Sequence, residues 1–347
     1  MCRQSELTKV LGTAQQSVSR IVASLTKKQL IHAKSPTSLG RPGKPSPRLT
    51  LNPGAAHTVG ISIMADAVST GLIDFSGSLL GRELTPLPTM DPAAVLDCIS
   101  NHVDKLLTAR NMTRDSLSGV GVAMSGYFMD NTRTFNPPPP LRDWMSVDVA
   151  SLVSNRLALP AWADNDGNAA AIGEAALGVG RRIHNFAYLY FSAGFGGGVV
   201  VDGSLLEGRF GNSGEFAGIL PYNVYPHPNL ELLRHCVRNR GIEIASIHEL
   251  VSNFDPDWPG IDDWIAKVKD SLSLVASACS AILDTEAIVL GGLIPRSLAE
   301  RLIPHIEFYS MPRWGTRRPV PQILPAEAPG DAVLFGAASI PLEKLYF

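Results

Sequence analysis

The chain has 347 residues, 45% of them apolar and 18% charged, with a formal net charge of −2. That is the composition of an ordinary soluble globular protein of two or three domains. No apolar run approaches the roughly 18–20 residues of a membrane span, and Glu6, Lys9 and Gln15-Gln16 break up any secretory leader. The four cysteines, Cys2, Cys98, Cys236 and Cys279, are scattered. They read as reduced residues of a cytoplasmic protein, with no disulfide framework and no metal knuckle.

The charge is unevenly distributed. Residues 1–50 carry nine basic side chains against the single acid Glu6, a local charge of +8, while the remainder carries 21 basic and 31 acidic residues. A small basic module on an acidic body points to a polyanion as the module's partner. Ser5 can cap a helix through Leu7, Val10 and Leu11; Gly12-Thr13-Ala14 turns the chain. In the second helix Val18, Ile21, Val22 and Leu25 fall at i, i+3, i+4 and i+7. Its other face presents Gln15, Gln16, Ser17, Ser19, Arg20, Lys27 and Lys28, the residue types that read base edges and phosphates in a major groove. A short strand, Leu30–Ala33, and a return strand, Leu49–Leu51, flank a loop rich in Pro, Gly and Ser. Within it Arg41 and Lys44 can follow a minor groove; the same loop also reads as an interdomain linker. The pattern is a winged helix-turn-helix over residues 1–52. It is expected to lack the helix that usually precedes the pair, since only four residues lie ahead of Ser5.

After Pro53-Gly54 strands and helices alternate. Strands are expected at 59–64, 68–75 and 78–84, then a helix from Asp91 to Ala109 with Asp as N-cap and Pro first in the helix. A strand over 119–124 ends at Ser125-Gly126, a run of four prolines spans 137–140, and a helix covers 146–157. Phe186–Phe191, a glycine loop from Ser192 to Gly198, and Val199–Val201 look like a second copy of the opening hairpin. Two such copies suggest a duplicated α/β fold with a cleft between lobes, 53–160 plus 331–347 forming one and 161–330 the other. A long helix over 262–283, with Ile265, Val268, Leu272, Val275, Cys279 and Ile282 on one face, feeds a strand over 287–290 and the turn Gly291-Gly292.

The richest stretch is Asp164-Asn165-Asp166-Gly167-Asn168, where a short strand over 159–163 gives way to a small-residue helix. Asn165 can donate and accept, and Asp166 can accept a hydroxyl proton, which suits polyol recognition. The same pair also reads as an N-cap of the helix that follows.

Taken together, the helix-turn-helix, the basic wing, this corner, Gly196-Gly197-Gly198, Gly214-Glu215, Val289-Leu290-Gly291-Gly292 and Gly330-Asp331-Ala332 resemble the ROK family of repressors and sugar kinases. The resemblance implies a two-lobe, actin-like (ribonuclease H-like) α/β fold and a dimer or tetramer. Its regulator branch, to which the xylose and N-acetylglucosamine repressors belong, adds operator DNA and a sugar as partners. It assigns sugar contacts to Asn165, Asp166, Glu215 and Glu231. Two departures matter. The kinases' Asp-x-Gly-Gly-Thr reads here Ser62-Ile63-Met64-Ala65-Asp66, which puts side chains and an anion where phosphates would lie. The family's zinc-binding His is replaced by Gly218, and residues 222–230 hold no cysteine, so no zinc and no other cofactor is expected. The sequence thus points to a sugar-responsive repressor without catalytic residues; a kinase with a degenerate phosphate loop is the alternative.

Overall fold

The computed structural model describes residues 2–34, 46–129, 134–309, 314–316 and 318–346. The N-terminal module comprises β1 (Cys2–Arg3), α1 (Gln4–Val10), α2 (Gln15–Lys27), β2 (Ile31–Lys34) and β3 (Arg48–Leu51). β3 lies between β1 and β2, antiparallel to both. Val18, Val22 and Leu49 form its small core, with Cys2, Leu7 and Ile31 packed against it.

Two expectations change here. The first helix is capped at Arg3, whose backbone N–H donates to the Glu6 carboxylate at 2.8 Å, while the Ser5 N–H donates to Ser46. Pairing of Cys2-Arg3 with β3 sets the start of the helix ahead of Ser5. Ile21, expected in the core, is 49% exposed, because nothing described covers that flank of the apolar stripe.

The body has two five-stranded sheets. The first contains β4 (His57–Ile63), β5 (Ala67–Asp74), β6 (Leu79–Pro86), β7 (Gly119–Met124) and, beyond the short hairpin β8 (Tyr127–Phe128) and β9 (Phe135–Asn136), β10 (Ala161–Asn165), in the order β10-β7-β4-β5-β6. Helices α3 (Pro92–Thr108) and α4 (Val149–Leu157) cover one face, and Asp91 and Asp148 cap them. Because β10 pairs in parallel with β7, the first sheet takes a strand from beyond residue 160, where the lobe boundary was expected.

After α5 (Asp166–Leu177) come β11 (Phe186–Phe191), β12 (Phe195–Val201) and β13 (Ser204–Leu205). Then follow α6 (Leu230–Arg238), α7 (Ile247–Ser252), α8 (Ile261–Ile282), β14 (Ala287–Gly292), α9 (Arg296–Leu302), β15 (Gln322–Pro325) and α10 (Ala332–Tyr346). The second sheet runs β13-β12-β11-β14-β15. Each sheet therefore centres on an antiparallel hairpin with parallel strands beside it, as the repeat predicted. The second lobe's core includes Trp264, Val268, Leu272, Val275 and Cys279 from α8. Ile282, expected on that face, is 78% exposed, since it is the last residue of the helix, past the core.

Helices α5 and α10 pack against each other, and both also contact strands of the sheets. Their crossing is close because Gly173 and Gly336 sit at it: a Cβ on Gly336 would lie 1.6 Å from the Ala169 carbonyl oxygen. This burial on all sides explains the run of small residues in α5, a pattern that amphipathic periodicity does not capture.

Candidate functional site

A cleft of about 640 Å³ opens between the lobes. Its floor is the β10–α5 corner. Asn165 caps α5: its Oδ1 accepts from the N–H groups of Gly167 (2.7 Å) and Asn168 (3.2 Å), and its Nδ2 donates to the Gly126 carbonyl. The capping reading of Asn165 is thus realised, and its side chain also ties the corner to the end of β7. Asp166, 8% exposed, accepts hydrogen bonds from the Ser125 hydroxyl and from the Gly167 N–H. Burial pushes the Asp166 carboxyl above the ordinary range, against the opposing pull of Ser125. Behind it the buried Asn168 donates to Asp164 at 2.9 Å and to the Gly211 carbonyl at 3.2 Å, fixing the loop that leads to Glu215.

Glu215 stands at the start of a short 3-10 turn, Phe216–Ile219, and faces the same cleft. Its carboxyl is pushed up to about 7, first by burial and then by the charge of Asp166. Glu231, in the first turn of α6, lines the cleft beside Arg234, which holds it by an ion pair. The Arg234 Nη1 also donates to the carbonyls of Ile244 and Ala245, at 3.0 and 3.2 Å. The structure thus brings together on one cleft the four residues that the resemblance assigned to the sugar, Asn165, Asp166, Glu215 and Glu231.

Across the floor lie the two hairpin turns. The first presents Met64, Ala65 and Asp66; the second presents Ser192, Ala193, Gly194 and Gly196. Gly196-Gly197-Gly198 belongs to β12 and not to a loop, and two of these glycines serve packing. A Cβ on Gly197 would come within 2.0 Å of the Tyr188 carbonyl oxygen, and one on Gly198 within 2.7 Å of the Ala171 side chain. Only Gly196 faces open space.

Gly218, where the resemblance places a histidine, is exposed, and a Cβ there would meet nothing within 4 Å. Cys236 is buried in the second lobe's core, and His235 is exposed and hydrogen-bonded to Asn239. Among the described residues no group of three His, Cys, Asp or Glu side chains is placed to hold a metal ion. The donor set does not fit a zinc knuckle, and Met64, Ala65 and Asp66 do not fit a phosphate cradle.

Sequence reasoning did not assign Ser125, Tyr127, Asn136, Asn212 or Arg234 to the site. Ser125-Gly126 at the end of a strand was a signal, as was the i, i+3 spacing of Glu231 and Arg234. Nothing in the sequence marks Asn212, whose side chain accepts from the Phe128 N–H and donates to the Phe128 carbonyl, both at 2.8 Å. This pair of hydrogen bonds clamps the loop before Glu215 to the first lobe.

Of the residues predicted to meet DNA, Gln15, Gln16, Ser17, Ser19, Arg20, Lys27 and Lys28 are all exposed. Ser19 differs from the rest, because its hydroxyl donates to the Gln15 carbonyl and accepts from Gln4. Arg41 and Lys44 lie outside the described residues.

The chain belongs to the ROK family, whose model matches residues 58–344. It is 25% identical to the uncharacterized protein y4fQ of Sinorhizobium fredii over 99% of this chain and 87% of that one. It is 26% identical to the xylose repressor of Bacillus spizizenii over 61% of this chain and 54% of the repressor. A Streptomyces coelicolor glucokinase is 30% identical over 47% of this chain and 49% of the kinase. The chain thus spans about half the length of these last two relatives. The crystal structure of a ROK family transcriptional regulator, a homolog of the E. coli Mlc protein, superimposes with a TM-score of 0.69 at 19% identity, covering 98% of this chain and 91% of that one. The likeness establishes the two-lobe, actin-like α/β fold.

Proposed function

We propose that this protein is a cytoplasmic, sugar-responsive transcriptional regulator, a repressor of carbohydrate-metabolism genes that binds operator DNA as a homodimer or homotetramer. The observation that carries the reading is the first hairpin turn. Met64 and Ala65 put side chains, and Asp66 a carboxylate, at the place where a kinase of this fold would need bare backbone N–H groups for phosphate. Support also comes from the exposed polar and basic face of α2, with two antiparallel strands behind it. We read that module as a winged helix-turn-helix, with α2 in the major groove and Lys27, Lys28, Arg41 and Lys44 on phosphates.

In this reading a sugar hydroxyl donates to Asp166, and Glu215 and Glu231 grip the same ring from the second lobe. Contacts to both walls favour a closed cleft, and closure alters how the oligomer presents its two recognition helices to half-sites about one DNA turn apart. No metal, nucleotide or other cofactor takes part.

The test is a mobility-shift experiment with the full chain and DNA flanking its own gene, with and without xylose, glucose or N-acetylglucosamine. One sugar should shift the complex, and a chain lacking residues 1–52 should not bind DNA. Sugar-dependent ATP turnover that disappears in Asp166→Asn would replace the regulator with a kinase.

A further inference from the structure

The cleft is lined by carboxylates and by a set of apolar groups, with Asn136, Ser192 and Ser246 among them. On the first lobe the apolar wall is Tyr127 and the run Pro137–Pro140, with Met64 beside them; on the second lobe it is Ala193, Ile247 and Leu293. The proline run is chemically specific. Four consecutive prolines carry no backbone N–H, so this stretch offers no main-chain donor for a hydroxyl. Its φ angles are fixed by the rings, and Pro138 is extended (φ −66°, ψ 162°), so the surface is rigid before any ligand arrives. Pro139 and Pro140 are exposed, and the Tyr127 ring is 46% exposed at the rim.

Charge narrows the ligand further. Asp66, Asp166, Glu215 and Glu231 line the cleft, and among the described residues the cation that lines it with them is Arg234. Its guanidinium is already bound to Glu231 and to the Ile244 and Ala245 carbonyls. Among the described residues, a phosphorylated sugar would meet carboxylates without a free cation to answer them. The volume, about 640 Å³, falls in the middle of the roughly 300–1,000 Å³ typical of drug-sized ligands, more than one sugar ring fills.

We propose that the cleft takes a non-anionic glycoside with a flat, apolar aglycone. Its sugar ring lies on Asp166, Glu215 and Glu231, and its aglycone packs between the Tyr127–proline wall and Leu293. This rests on the sugar-binding reading of the site and extends it from a sugar to an aryl glycoside.

The experiment is calorimetric titration of the full chain with matched pairs. Glucose, xylose, galactose and N-acetylglucosamine are each compared with their α- and β-phenyl glycosides, their 6-phosphates where these exist, and a disaccharide of the same sugar. For the sugar that is recognised, one phenyl glycoside should bind roughly ten- to a hundredfold tighter than the free sugar, from the added apolar burial. The 6-phosphate should bind weaker. In Tyr127→Ala and in Leu293→Ser the ratio of phenyl-glycoside to free-sugar affinity should fall toward one, while Tyr127→Phe keeps it. A free sugar that binds as well as both its phenyl glycosides overturns the aglycone subsite and leaves the sugar site standing. A disaccharide that outbinds them puts a second sugar ring on the wall instead. Tighter binding of a 6-phosphate overturns the charge argument. No binding by any of these probes would overturn the sugar site and the subsite together.

Discussion

The two hairpins that open the lobes have the same topology, β4–β5 and β11–β12, each with a parallel neighbour, and both turns reach the same cleft. They carry opposite chemistry. The second turn carries Gly194 and leads into Gly196-Gly197-Gly198 of β12; the first carries Met64, Ala65 and Asp66. The contrast isolates one reason for a glycine. Gly197 and Gly198 are held by packing, because Tyr188, Phe216 and α5 leave no room for a Cβ. No such packing holds the first turn to glycine, and Met64, Ala65 and Asp66 occupy it with side chains in the cleft. A glycine that answers to the fold tolerates no side chain, whereas a turn that packs against nothing does.

The sharpest way to break the comparison is to exchange the demands. Gly197→Val should cost on the order of 3 kcal/mol or more, because the new side chain meets backbone 2.0 Å away and cannot relax. A change in the first turn, Ala65→Gly, should shift stability by less than about 1 kcal/mol. Urea denaturation of the two variants measures both; equal effects would remove the distinction.

At the floor of the cleft, Asp166→Asn should preserve the fold and weaken the recognised sugar by about 1.5–3 kcal/mol, read by calorimetry. This locates the polar contacts on the shared floor and not on either hairpin. A smaller and more graded effect comes from Glu215, whose folded carboxyl sits at about 7 against an ordinary 4.5. Between these values the folded chain holds a proton that the unfolded chain releases. Its contribution therefore favours folding below about pH 4.5 and is lost as pH rises through 7, by on the order of 2 kcal/mol. Glu215→Gln should flatten this slope in thermal melts taken from pH 5 to 8. An unchanged slope would mean that the group is solvated.

The duplicated α/β pattern, the hairpins and the corner were legible because hydrophobic alternation and turn residues write them locally. β10 was misassigned to the second lobe because sequence order places it after the first lobe's helices, while its pairing with β7 is a long-range fact. Asn165 and Asp166 were legible as a pair. Which of them caps and which stays toward the cleft depended on the Gly126 carbonyl and the Ser125 hydroxyl, both contributed by a distant strand end. The apolar wall was written plainly as four prolines, yet a proline run says nothing of what faces it until the second lobe stands opposite.

Helix α10 closes over the first sheet so tightly that a Cβ on Gly121 would lie 1.7 Å from the Ala337 carbonyl oxygen. The sheet it seals is finished at residue 165, and the whole second lobe is strung between them. On the ribosome, one face of the first lobe therefore stays bare while the second lobe is made and buries its own core. Nascent chains arrested before residue 332 should be cut by protease in the first lobe and spared in the second. The half that is written first is completed last, so a cell that makes this protein must shield an uncovered sheet for about half of a round of synthesis.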